Sequence, residues 1–295
     1  MTSCRDGILL LDKPAGLTSN AALQRAKRIM GSKKAGHTGS LDPIATGLLV
    51  LLFGEATKVS DYILNADKSY RATLRLGQTT TTGDSEGEIL EERPVAVSEE
   101  QVRMILPQFS GVIAQVPPMY SAIKQGGKPL YELARKGLEV ERAARQVRID
   151  ALDLVLLDGD CLVLDVRCSK GTYIRSLAAD IGAALGCGAH VNGLRRTSTG
   201  PFDITQALTL EALADVLGRE ECPLKAMDLA LEYLPAVTLT ENTAYYLRQG
   251  QGVVVAHTPA SLGRIRLYGP MGQFLGLGEV MDDGKVAPRR LMSVN

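Results

Sequence analysis

The segment Gly36-His37-Thr38-Gly39-Ser40-Leu41-Asp42-Pro43-Ile44-Ala45-Thr46-Gly47 runs directly into Leu48-Leu49-Val50-Leu51-Leu52-Phe53. A polar loop that empties into an unbroken apolar run predicts a buried strand with a reactive side chain held at its mouth. The loop concentrates one carboxylate, one histidine, three glycines and three hydroxyls in twelve residues. Its glycines permit positive φ or close approach of backbone to a ligand. Pro43 biases Asp42 toward extended backbone, so Asp42 should project from a loop rather than a helix. Taken alone, the same residues also fit an ordinary surface turn.

The rest of the chain bounds what that loop can serve. A length of 295 residues fits one large domain or two smaller ones, and 45% apolar residues suffice for a core. Net charge is zero, which argues against gripping nucleic acid by bulk positive charge. The charge is nevertheless segregated. Between Asp12 and Leu41 stand Lys13, Arg25, Lys27, Arg28, Lys33 and Lys34 against Asp12 alone, whereas acids gather in 84–92. A basic block that leads into a polar loop suggests an edge facing phosphates. The five cysteines (Cys4, Cys161, Cys168, Cys187, Cys222) show no CxxC pair, so neither a disulfide framework nor a zinc site is expected. His37, His190 and His257 lie too far apart to suggest a His-rich metal site. With no signal-peptide pattern and no bilayer-length apolar run, the expected location is the cytoplasm, away from any membrane.

Periodicity places the elements. Ile8–Leu11 reads as a buried strand, and a helix over about 21–30 follows, capped by Thr18, Ser19 or Asn20. From Ser69 to Gly77, Tyr70, Ala72, Leu74 and Leu76 share one strand face. Residues 77–88 read as a polar, mobile loop. Helices are expected over 98–109 and 130–137, and a strand over 161–169. A further helix buries Ile174, Leu177, Ala178 and Ile181 at i, i+3, i+4 and i+7. Tyr173 and Arg175 flank Ile174 off that stripe, at a strand-to-helix junction open to a cleft. The macrodipole disfavours an arginine at a helix start, which points to a partner carboxylate. From about Pro235, short β-like runs such as Val253-Val254-Val255 alternate with Gly and Pro and read as a small β domain.

Six ordered segments together resemble the TruB family of tRNA pseudouridine synthases. They are Leu11-Asp12-Lys13-Pro14-Ala15-Gly16, the Gly36–Pro43 stretch, Lys68-Ser69-Tyr70-Arg71-Ala72, Gln115-Val116-Pro117-Pro118-Met119-Tyr120-Ser121-Ala122, Cys168-Ser169-Lys170-Gly171-Thr172-Tyr173-Ile174-Arg175 and Leu194-Arg195-Arg196-Thr197. The resemblance implies an α+β pseudouridine synthase core with a mixed, largely antiparallel sheet and flanking helices over 1–234. An RNA-contacting insertion at about 124–148 would close on the substrate loop. A small, β-rich, PUA-like RNA-binding domain would occupy 235–295. The implied activity is isomerisation of uridine 55 in the TΨC loop of tRNA to pseudouridine, with no metal or organic cofactor. The implied partner is tRNA, through its T arm and acceptor stem, with the protein acting as a monomer and requiring no protein partner.

The resemblance also assigns roles. Asp42 matches the family's essential aspartate, which adds covalently to sugar or base or removes a C2′ proton to give a glycal. Arg175 matches the arginine that pairs with it and offsets its desolvation. Tyr70 matches the tyrosine that stacks on the target uracil and is the candidate to assist loss of the C5 proton. Tyr173 matches a second pocket aromatic. His37 matches the residue that fills the space left by the flipped base. Leu194 would line the uracil pocket, and Lys13 would serve structure or phosphate. A tRNA-folding chaperone or RNA-binding module with secondary catalysis is the alternative, but a pure binder has no use for Asp42, Tyr70 and Arg175 together. A glycosidase would want two carboxylates at the cleft, and the matched motifs hold one.

Overall fold

The structure is a computed structural model that describes residues 5–121, 123–256 and 263–293. Its centre is a nine-stranded mixed sheet. The main path runs Gly7–Lys13, Thr46–Phe53, Ala189–Thr199, Lys68–Leu76, Cys161–Cys168, Arg145–Asp158 and Gly111–Gln115. Neighbours along it are antiparallel except Thr46–Phe53 with Ala189–Thr199. That parallel seam is only two residue pairs wide, Arg195 opposite Thr46 and Arg196 opposite Gly47. Gly47 is obligatory there: its φ is +99°, and a Cβ would lie 2.3 Å from the Arg196 carbonyl oxygen.

The apolar run ending at Phe53 is continuous because both faces of its strand are covered. Leu49, Leu51 and Phe53 pack with Leu9, Leu11 and the buried stripe Ala22, Leu23 and Ala26 of the Ser19–Ile29 helix. Leu48, Val50 and Leu52 pack on the other side with Ile8, Leu10, Ala230 and Leu231. Thr18 supplies the cap of the Ser19–Ile29 helix, its hydroxyl accepting from the Ala21 N–H at 3.1 Å. The Ile174–Ala184 helix buries the expected stripe against Ala72, Leu74, Leu164 and Val166. The architecture is thus α+β, with helices flanking a mixed, mostly antiparallel sheet.

A separate four-stranded sheet, ordered Ala236–Thr238, Gly263–Tyr268, Phe274–Val280 and Val286–Leu291, has its own core of Val237, Leu247, Ile265, Leu267 and Val286. It is not free of the larger body, since Leu277, Phe274 and Met292 join the cluster around Ile8 and Leu52.

Several expectations need correcting. Residues 77–88 are tied down rather than loose: Gln78–Thr80 pairs with Ile89–Glu92, and Asp84 bridges to Val191. Val253-Val254-Val255 forms no strand, only an isolated bridge from Val253 to Val286. Helix over 98–109 divides into an α-helix, Glu99–Ile105, and a 3-10 turn, Leu106–Phe109, which begins where Pro107 removes an N–H. From Arg145 onward the chain already belongs to the main sheet, and Arg148 there pairs with Asp67 and Asp150. Cys222 is disulfide-bonded, while Cys161, Cys168 and Cys187 are free. Linear spacing does not reveal which cysteines approach within bonding distance in space. His257 and Cys4 lie outside the described residues. Among the described residues no helix is long and apolar enough to cross a membrane.

Candidate active site

A cavity of about 700 Å³ opens at the parallel seam. Asp42, His37, Tyr70, Tyr173, Arg175 and Leu194 all line it. Sequence reasoning therefore brought six residues from four segments to one place; Lys13 stands behind the wall.

The Asp42 loop is fastened from both sides. The Ser19 hydroxyl donates to the Leu41 carbonyl at 3.1 Å and accepts from the Leu41 N–H at 2.7 Å. Behind Asp42, the Ala45 N–H closes a turn onto the Asp42 carbonyl, and the Gly16 N–H holds the Pro43 carbonyl. Lys13 is fully buried, and its ammonium donates to the carbonyls of Pro14, Leu17 and Pro43 at 2.9, 2.6 and 3.4 Å. Its ammonium donors are thus engaged on backbone carbonyls. Burial lowers its pKa to about 8, with the nearby Asp42 acting in the opposite direction.

Arg175 is buried as well as cleft-lining, since its guanidinium is surrounded by acceptors. Its Nε lies 3.0 Å from Asp42 Oδ2 and its Nη2 3.4 Å from Asp42 Oδ1. Nη1 donates to the Thr82 carbonyl at 3.1 Å and Nη2 to the Tyr120 carbonyl at 2.7 Å. Asp84 Oδ2 stands 3.6 Å from Nη1. The helix-start arginine thus has two carboxylates, one more than the sequence suggested. Burial still wins at Asp42: desolvation, aided by Asp84, lifts its carboxyl above the usual value despite Arg175 and Lys13. Arg175 acts as the expected counter-charge, lowering the Asp42 pKa against desolvation.

Tyr70 points into the cavity, and burial pushes its phenol upward, with Arg196 opposing. A phenol that is scarcely ionised at neutral pH is ionised still less in this site. The His37 ring is kept neutral by burial and by Arg196, and its Nδ1 is buried without a hydrogen-bond partner. A neutral, partly orphaned imidazole suits stacking better than proton transfer. Tyr173 is held by Gln115, whose amide oxygen accepts from the Tyr173 N–H at 2.7 Å and whose amide nitrogen donates to the Tyr173 carbonyl at 3.0 Å.

Sequence reasoning missed Asp84, Glu86 and Arg196, all of which line the cavity. The signal for the acids was present as the acid-rich run starting at Asp84, but nothing local showed that it folds back onto Val191. Arg196 lay in a matched motif without a role. Tyr120, and from the insertion Tyr131 and Arg135, also reach the cavity, the Arg135 guanidinium standing 5.6 Å from the Tyr131 ring centre. Among the described residues no cluster of three or more His, Cys, Asp or Glu side chains is placed to hold a metal ion.

This arrangement provides the Asp42 carboxylate, with Asp84 and Glu86 also at the cavity wall, a fixed cation beside Asp42, and aromatic walls for a flat ring. Family models match in succession: the TruB pseudouridylate synthase N-terminal domain over residues 27–174, the tRNA pseudouridylate synthase B C-terminal domain over 175–236 and the C-terminal domain of pseudouridine synthase II TruB over 235–292. The chain is 54% identical to the tRNA pseudouridine synthase B of Stutzerimonas stutzeri, covering 97% of this chain and 95% of that one. It is 53% identical, with the same coverage, to that of Pseudomonas aeruginosa. An H/ACA RNP protein solved with a substrate RNA containing 2'-deoxyuridine superposes with a TM-score of 0.75 at 26% identity, covering 98% of this chain and 85% of that one. The chain belongs to the TruB family of pseudouridylate synthases.

Proposed function

We propose that this protein converts a uridine of tRNA to pseudouridine, at position 55 of the TΨC loop. The observation that carries the reading is the Asp42–Arg175 ion pair on the floor of an aromatic-lined cavity. The reaction breaks the N1–C1′ bond, turns the uracil and rejoins it through C5. Asp42 is the group for the sugar or base: ionised, it either adds covalently or takes the C2′ proton. Arg175 holds that carboxylate in place. A base stacked inside a folded loop must leave the stack first, at a cost of a few kcal/mol. Tyr70 and Tyr173 offer faces for the extruded uracil, Leu194 lines its pocket, and His37 fills the gap it leaves.

The T arm is read by shape, stacking and backbone contact. The hairpin and helix over 124–134 would close on it, with Tyr131 and Arg135 facing the cavity. Residues 1–234 would form the catalytic unit and 235–295 the PUA-like RNA-binding unit that meets the acceptor stem. The protein acts as a monomer in the cytoplasm, without a cofactor.

The test is tritium release from unmodified tRNA labelled at uracil C5, with Asp42→Ala beside the wild type. Release near one equivalent per tRNA, lost in the variant, supports the reading. Tight tRNA binding without release by the wild type would overturn it in favour of an RNA-folding chaperone.

A further inference from the structure

Arg196 is the largest side chain buried to this depth, 1% exposed, and nothing in the assigned chemistry uses it. Such a cation is costly to bury unless its donors are engaged. Here they converge from three elements. Nε donates to the Leu48 carbonyl of the Thr46–Phe53 strand at 2.6 Å. Nη2 donates to the Gly39 carbonyl of the Asp42 loop at 3.2 Å. The third direction is toward Tyr70, which is its direct partner across the antiparallel pair of Ala189–Thr199 with Lys68–Leu76. Nη1 lies close enough to Gly39 that a Cβ there would meet it at 3.5 Å. Arg196 also lines the cavity.

From this convergence we propose that Arg196 is a positioning residue: it fixes the Tyr70 phenol against the Asp42 loop and stabilises the phenolate that accepts the C5 proton. The inference rests on the isomerase reading above. At that step the C5–H bond breaks and its electron pair forms the C5–C6 double bond. The former C6–N1 double-bond pair settles on N1, which takes a proton from solvent. The C5 proton passes to the Tyr70 oxygen, so that oxygen must carry negative charge to receive it. Burial opposes that charge, and Arg196 is the cation facing it. The other charged or titratable groups acting on Tyr70 are Cys168, on the neighbouring strand, and Asp42, both of which disfavour a phenolate. Arg196 therefore has no substitute: the nearby ammonium of Lys68 donates to the carbonyls of Leu64 and Ala66.

The experiment is single-turnover tritium release by Arg196→Lys and Arg196→Met across neutral to alkaline pH, each also made in a Tyr70→Phe background. The expected loss is about 10-fold or more at neutral pH. The alkaline pH at which the rate stops rising should move upward in both variants, because removing the cation raises the Tyr70 pKa. Tyr70→Phe should erase the difference between Arg196 and its variants. A rate profile that levels off at the same pH in wild type and variants, or a loss equal in both backgrounds, would overturn the inference. Should neither variant fold, nitrogen-15 spectra of the intact arginine decide. The Arg196 guanidinium signals must move on Tyr70→Phe, and unmoved signals would refute the contact. Absence of release by the wild type would instead count against the isomerase reading itself.

Discussion

Replacing Arg175 by Met keeps an unbranched apolar stem but removes the guanidinium and its charge between Asp42 and Asp84. Breaking a fully buried ion pair costs about 3–5 kcal/mol. Asp42 is 39% exposed, so solvent screens its share and the figure must be reduced. The carbonyls of Thr82 and Tyr120 lose their donors, but they border a cavity that water can enter. A net loss of about 3 kcal/mol at neutral pH is the expectation. For a chain of this size that is roughly 6–12 °C in the unfolding midpoint. The sign with pH follows from Asp42, whose folded-state pKa already lies above its ordinary value and rises further without its cation. A carboxyl with a raised folded pKa favours the fold below its unfolded value and loses that contribution as pH rises through the folded one. The deficit relative to wild type should therefore be largest at neutral pH and shrink on acidification. Scanning calorimetry of both proteins at several pH values is the assay. A midpoint deficit that does not change with pH would show that Arg175 acts by packing and not by holding carboxylates apart.

Other outcomes follow from the same geometry. Asp42→Asn should bring tritium release to background while tRNA binding persists, and it should raise the unfolding midpoint at neutral pH because an unfavourable buried charge is gone; loss of binding as well would place Asp42 in recognition. The single-turnover rate of the wild type should fall on acidification at a pH above the ordinary carboxylate range, and an acid limb at or below that range would contradict the raised value at Asp42. Gly47→Ala forces a Cβ into the Arg196 carbonyl and should yield insoluble or strongly destabilised protein; a normal midpoint would mean that the seam can open. Deleting residues from 235 onward would uncover the cluster shared by Leu277 and Ile8, so charge reversal at the exposed Arg264 and Arg290 is the cleaner probe of the C-terminal surface. It should weaken tRNA binding and flatten its salt dependence, leaving the single-turnover rate at saturation unchanged.

The family resemblance implied the α+β core and the six cavity residues, whereas the sequence's own periodicity established the strand that follows the Asp42 loop and the buried stripe of the Ile174–Ala184 helix. These were legible because period-2 and period-3.6 burial patterns and turn residues are local properties. Its motifs also carried the family, since chemistry demands particular side chains in a particular order. Only the tertiary structure decided which charges meet. Asp84 lies 91 residues from Arg175 in the chain, and Arg196 is brought beside Tyr70 by strand pairing alone. Likewise Lys13 looked like a cleft lysine until the fold spent its ammonium on three carbonyls. Whether a charge is paired, buried or free depends on distances across the sheet, and no linear pattern encodes those distances. The electrostatic balance at Asp42, and with it the pH at which this site can work, is therefore a property of the assembled fold.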